Sequence, residues 1–159
     1  MIYFRHSNPR LLVLLTIILV VTSSSFAVAQ RSGAHADDES PLFQEYRSVK
    51  IGMTTDEVRK KLSDPSDKSD EQDFFVFGEN ESAQVFYDKT HKVFAISINF
   101  LNGAQNMPTP KVILGSELAA KADGSMYKMV RYPKAGFWVS FSRTAGDSPL
   151  TTVTLQRID

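Results

Sequence analysis

The stretch VFAISINF, residues 93 to 100, alternates for eight residues. Phe94, Ile96, Ile98 and Phe100 share one face, and Val93, Ala95, Ser97 and Asn99 the other. A period of two over that length is a strand with one packed face and one partly open face. Two strand-like runs precede it, DFFVF (73 to 77) and AQVFYD (83 to 88), and the turns GENES and KTHK separate the three. The spacing predicts an antiparallel meander, whose apolar face has to be buried against another element.

The element ahead of the meander is IGMTTDEVRKKLSDP, residues 51 to 65. Thr54 and Glu57, three apart, form a capping box, in which the hydroxyl accepts from the third helical N–H and the carboxylate reaches back to the cap. Met53 before the cap and Val58 at the fourth helical position close a hydrophobic staple. Val58 and Leu62 give the helix one apolar stripe, with Arg59, Lys60 and Lys61 expected to face water. Asp56 and Glu57 lie at the positive end of the helix dipole and Lys60 and Lys61 at the negative end. The helix stops before Pro65, because the residue preceding a proline avoids the helical region.

LNGAQNMPTP (101 to 110) breaks the pattern with an Asn-Gly pair and two prolines. Beyond it, KVILGSELAAKADG (111 to 124) predicts a second helix turn with Ser116 as N-cap and Gly124 as stop; KVIL alternatively reads as a short extra strand. Strand runs follow at SMYKMVRY (125 to 132), GFWVSFSR (136 to 143) and TTVTLQRI (151 to 158). AQVFYDK aligns by pattern with FWVSFSR, and KVFAISI with LTTVTLQ. The expected fold class is α+β: an antiparallel sheet packed by short helices, built from two tandem helix-plus-three-strand units at about 48–100 and 111–158 in one compact domain.

Residues 1 to 29 read as a signal peptide. Arg5 and Arg10 make a basic start, LLVLLTIILVV (11 to 21) is apolar apart from Thr16, and Ala27 and Ala29 stand in the A-x-A arrangement cut after Ala29. The apolar run is shorter than the roughly 20 residues of a spanning helix, which favours cleavage over anchoring. Residues 30 to 47 read as a flexible, polar leader, with Phe43 and Tyr46 the first to dock on a core, and 48–158 as the domain. Removing residues 1 to 29 takes two of 18 basic residues and none of 18 acidic ones, leaving a net charge of −2. That balance carries no electrostatic footprint for nucleic acid and no polybasic stretch for anionic lipid. With no cysteine in the chain, the exported domain has to be held by its core, without disulfide, thiolate metal site or acylated N-terminal Cys.

Catalytic clusters are missing from the pattern. His6, His35 and His91 have no histidine partner at metal-ligand spacing, and they support neither zinc nor a Ser-His-Asp arrangement. The acidic run Asp64, Asp67, Asp70, Glu71 and Asp73 lacks the Gly that a calcium loop needs, and reads as a solvated loop. Asn80-Glu81-Ser82 fits a glycosylation acceptor in a hairpin turn. No cofactor and no enzymatic activity are expected.

Gly52, Met53 and Thr54 entering a capped helix, Glu57 and Val58 on its first turn, Leu62 and Pro65 closing it, and a meander behind resemble the SmpA/OmlA (BamE-like) domain family. Those are small envelope proteins that accompany the outer-membrane β-barrel assembly machinery, in a fold group named after the β-lactamase inhibitor proteins. The resemblance runs from about Val49 to Phe100. Where the family has a Gly between the last Leu of the helix and the Pro, this chain has Ser63 and Asp64, and it lacks the family's lipid-bearing Cys. The resemblance implies an exported, periplasmic or secreted, non-enzymatic module that binds or scaffolds a protein partner of the bacterial envelope, with no stable membrane anchor once the signal is cut.

Aromatic residues mark the candidate binding face. In GFWVSFSR, alternation sets Phe137, Val139 and Phe141 against Trp138, Ser140 and Ser142; in SMYKMVRY, Tyr127, Met129 and Arg131 share a face. With helices covering the Phe137 side, Trp138, Tyr127 and Arg131, joined by Phe86 from the first half, lie on the open sheet. Trp, Tyr and Arg are enriched where proteins hold partners. The alternative expectation is an enzyme inhibitor or a small-ligand-binding envelope protein using the same face.

Overall fold

Thr54 starts the first helix, Thr55–Leu62 (α1), with the capping box its sequence specifies. The Thr54 hydroxyl accepts from the Glu57 N–H at 3.4 Å, and Glu57 Oε2 accepts from the Thr54 N–H at 2.8 Å. Val58 is fully buried, and Met53 and Leu62 pack on the same core. Burying one such valine contributes about 1.5–3 kcal/mol. Two backbone bonds fasten the helix entry to the meander: Gly52 N–H donates to the Val93 carbonyl and Val93 N–H to the Met53 carbonyl, each at 2.8 Å. Gly52 sits at φ +88°, a conformation that a side chain would strain.

The computed structural model of the chain describes residues 40–158. The residues read as a signal peptide and most of the leader lie outside the described residues. After α1 come β1 (Asp67–Lys68), β2 (Gln72–Gly78), β3 (Glu81–Tyr87) and β4 (Val93–Phe100). A second helix follows, α2 (Pro110–Leu114), then β5 (Met126–Tyr132), a 3-10 turn at Pro133–Ala135, β6 (Phe137–Arg143) and β7 (Thr151–Arg157). The fold is α+β, with one seven-stranded sheet in the order β1-β2-β3-β4-β7-β6-β5 and every neighbouring pair antiparallel. Two meanders therefore meet edge to edge at β4 and β7. One face of the sheet carries the core: Phe75, Val85, Ile96, Ile98, Val139, Phe141, Val153 and Leu155, capped by Val58 of α1 and by Ile113 and Leu114 of α2. Among the described residues, no helix is long and apolar enough to cross a membrane.

Four local readings are corrected. The second helix is not capped by Ser116 and stopped by Gly124. Thr109 is its N-cap, Pro110 occupies the first turn, and Gly115 ends it in the left-handed conformation, the arrangement in which proline loses no helical bond and glycine no strain. Ser116 lies beyond the helix and accepts from Lys128 Nζ at 2.9 Å. The loop after α1 holds the short strand β1, paired with Phe74 and Asp73. Arg59 does not project freely into water; its guanidinium turns to Asp73 while part of the side chain stays exposed, and Asp73 is buried rather than part of a solvated acidic run.

The fourth correction concerns β4. Phe86 pairs with Ala95 but Tyr87 pairs with Val93, so Phe94 is an extra, bulged residue. Bulged residues shift the alternation of the strand that contains them. Val93 joins the core and Phe94 leaves it for the opposite face, where its ring lies 6.2 Å from that of Phe86.

The packed body begins before residue 48. Phe43 packs on the core and Tyr46 is buried in it. Tyr46 and Val49 pair across a two-residue turn with Arg47 and Ser48 both at positive φ. The Tyr46 hydroxyl donates to Glu81 Oε1, and Arg47 donates to the same carboxylate oxygen at 3.0 Å while lying 4.2 Å over the Phe77 ring.

Candidate functional site

The face opposite the helices is read directly from the strand register. One row runs Gln72, Phe86, Ala95, Gln156, Trp138 and Arg131, each residue paired with the next across a strand boundary. The next row is Phe74, Gln84, Ser97, Thr154, Ser140 and Met129. The third is Val76, Ser82, Asn99, Thr152, Ser142 and Tyr127. All four residues singled out by aromatic pattern, Phe86, Tyr127, Arg131 and Trp138, therefore lie on this face, and three of them share a row. Tyr127 stands two rows from Arg131 on the same edge strand.

The middle four strands of this face carry no ionisable side chain in the three rows. Short hydroxyl and amide groups dominate there, partly bonded to one another: Thr152 Oγ1 donates to Asn99 Oδ1 at 2.9 Å. Ala95 and Ser140 are recessed and buried, while Tyr127 at 57% and Met129 at 42% exposure stand out at the β5 margin. Chemically the face offers rings, neutral hydrogen-bonding groups and one guanidinium at its side, which are the means of holding another surface.

At the Phe86 end the face drops into a cleft of about 770 Å³. Phe86 and Phe94 line it, with Glu71, Asp88, His91 and Arg157 among its polar walls. Asp88 receives the Arg157 guanidinium at 2.7 Å and the Thr90 hydroxyl at 2.6 Å. The Thr90 hydroxyl first, and Arg157 second, hold its carboxyl well below the usual carboxylate range. Sequence reasoning missed this cleft because it assigned Phe94 to the core. The clean alternation of β4 contained no signal of the bulge.

The motif residues occupy the other side of the sheet. Gly52, Met53 and Thr54 tie the entry of α1 to β4 and to the turn before it, where the Thr55 N–H donates to the His91 carbonyl at 3.1 Å. Glu57 completes the cap, Val58 and Leu62 pack on the core, and Pro65 follows the helix end. These residues position the scaffold. Among the described residues, no group of three His, Asp or Glu side chains is placed to hold a metal ion.

Comparison with protein-family models, with curated proteins and with solved structures returned no match.

Proposed function

We propose that the protein is an exported, non-enzymatic module of the bacterial cell envelope that holds a protein partner on its open sheet face, in a scaffolding or assembly role like that of the SmpA/OmlA domains. The observation that carries this reading is the row joining Phe86, Trp138 and Arg131, with Tyr127 on the same face and both helices packed on the other side. Export rests on the signal-peptide pattern of residues 1 to 29. The finer architecture, two tandem helix-plus-three-strand units, draws support from the element order, in which a helix precedes each meander.

In-cell crosslinking and pull-down of the tagged protein tests the reading. Trp138→Ala together with Arg131→Ala is expected to weaken capture by about thirtyfold or more, the scale of losing interface anchors. The circular dichroism of the variant should match the parent. A folded double variant that captures the same partner undiminished would falsify the proposal. Capture of a hydrolase with loss of its activity would mark the partner as an inhibited enzyme.

The cleft beside Phe86 and Phe94 favours a second reading, a small envelope ligand held at the end of the same face. Clefts of this volume accommodate small molecules. Native mass spectrometry of protein purified from its own envelope is the test. A bound mass lost on Phe94→Ala supports this reading, and a clean apo spectrum removes it.

A further inference from the structure

Strand β5 ends the sheet, and among the described residues no loop backbone hydrogen-bonds to Met126–Arg131. Its register against β6 runs unbroken over all seven residues, without a bulge, and it contains no proline. Proteins ordinarily blunt such an edge, because its unpaired N–H and C=O groups template another strand. The opposite edge is blunted here: two-residue β1 covers part of β2. On β5 the side chains of Tyr127 and Met129 stand exposed on the candidate binding face instead.

The charge around β5 selects what pairs with it. Leaving aside Lys134, which is engaged elsewhere, residues 115–143 contain Lys121, Lys128, Arg131 and Arg143 against only Glu117 and Asp123. Asp123 is engaged in its own turn, accepting from the Ser125 N–H at 2.9 Å and the Ser125 hydroxyl at 2.7 Å. Pairing β5 with β5 of a second copy would set one edge bearing Lys128 and Arg131 against another of the same sign, with no acidic residue in either strand to offset them. A segment bearing carboxylates meets the opposite situation.

We infer that β5 is a docking edge at which an extended, acidic polypeptide segment of the partner adds as an eighth strand. Main-chain bonds supply the pairing, Tyr127 and Met129 supply apolar cover, and Arg131 with the surrounding bases supplies the preference for acid. This rests on the reading of the protein as a partner-binding module and names the partner's chemistry.

The test is amide hydrogen exchange of the full chain with an acetylated, amidated heptapeptide of alternating glutamate and valine. Exchange within Met126–Tyr132 is expected to slow by at least about fivefold at saturating peptide, and the effect should shrink as salt screens the bases. The same peptide with lysine in place of glutamate is expected to leave exchange unchanged. Met129→Glu, a charge on an exposed position of the edge, should abolish the effect, and Arg131→Glu serves if that variant does not fold. No slowing, or equal slowing by both peptides, overturns the inference. Slowing that grows with protein concentration without peptide assigns the edge to a second copy and also overturns it. Partner capture by Trp138→Ala reports separately on the binding face: capture lost there with β5 unprotected by peptide retires the edge and leaves the face, whereas protected β5 with capture unchanged retires the face alone.

Discussion

The guanidinium of Arg59, on α1, meets the buried carboxylate of Asp73, on β2, through two hydrogen bonds: Nε donates to Oδ2 at 2.9 Å and Nη2 to Oδ1 at 2.8 Å. The Tyr87 hydroxyl donates to Oδ2 at 2.7 Å. Three donors thus satisfy a carboxylate with no solvent exposure, and they staple the helix to two strands of the first meander.

Removing the cation leaves that carboxylate buried and short of partners. Arg59→Met is expected to cost about 2–4 kcal/mol, toward the lower side of breaking a buried pair because about a third of the Arg59 side chain keeps contact with water. Arg59→Met combined with Asp73→Asn, which removes both charges, should lose less than Arg59→Met alone. Urea unfolding of the three proteins measures this. A double variant less stable than Arg59→Met would show that the pair is not coupled in this way.

Ser63 ends α1 at φ 69° and ψ −166°, a region open essentially only to glycine. It occupies the gap between Leu62 and Pro65 in which SmpA/OmlA sequences carry a Gly. Ser63→Gly is therefore expected to stabilise the protein by about 1 kcal/mol, the relief of backbone strain exceeding the entropy glycine adds to the unfolded chain. A lower denaturant midpoint in the variant would refute it.

What was legible in the sequence follows the range of the interaction that specifies each element. The α1 cap is local, four residues long, and was readable from Thr54 and Glu57. The bounds of β4 were readable too, since alternation and flanking turns lie within the strand itself. The signals for α2 were equally local, Thr109-Pro110 at its start and Gly115 at its end, but the prolines of the preceding segment read as a break. That Tyr127 and Arg131 share a face followed from period two, and Trp138 joined them on the condition that helices cover the Phe137 side. Their alignment with Phe86 followed from neither, because it depends on β4 pairing with β7 across 50 residues of chain or more. The inward turn of Arg59 was hidden likewise, its partner lying fourteen residues away on another element.

Burial, and then the hydrogen bonds to Asp73 and Glu81, push the hydroxyls of Tyr87 and Tyr46 above the ordinary phenol range. Above about pH 10 the unfolded chain releases these protons while the native protein retains them. The unfolded state then binds fewer protons, so stability falls as pH rises. It is complete below the ordinary phenol pKa and drains away through the alkaline range. An absorbance titration at the phenolate band should show Tyr46 and Tyr87 ionising only together with loss of the circular dichroism signal. Smooth ionisation of both buried phenols in protein that stays folded would contradict their placement.

The bulge at Phe94 makes two phenylalanines of one strand energetically unlike. Strict alternation puts Phe94 and Phe100 on the same face, where their truncation would cost alike. In the structure Phe100 is buried in the core, whereas Phe94 lies half-buried on the open face beside Phe86. Phe100→Ala is expected to cost about 3–5 kcal/mol, the cost of emptying a core site. Phe94→Ala loses the ring contact with Phe86 and part of its burial, about 1–1.5 kcal/mol. Denaturant midpoints of the two variants at matched slope decide the matter, and equal losses would place Phe94 back in the core and close the cleft as a site.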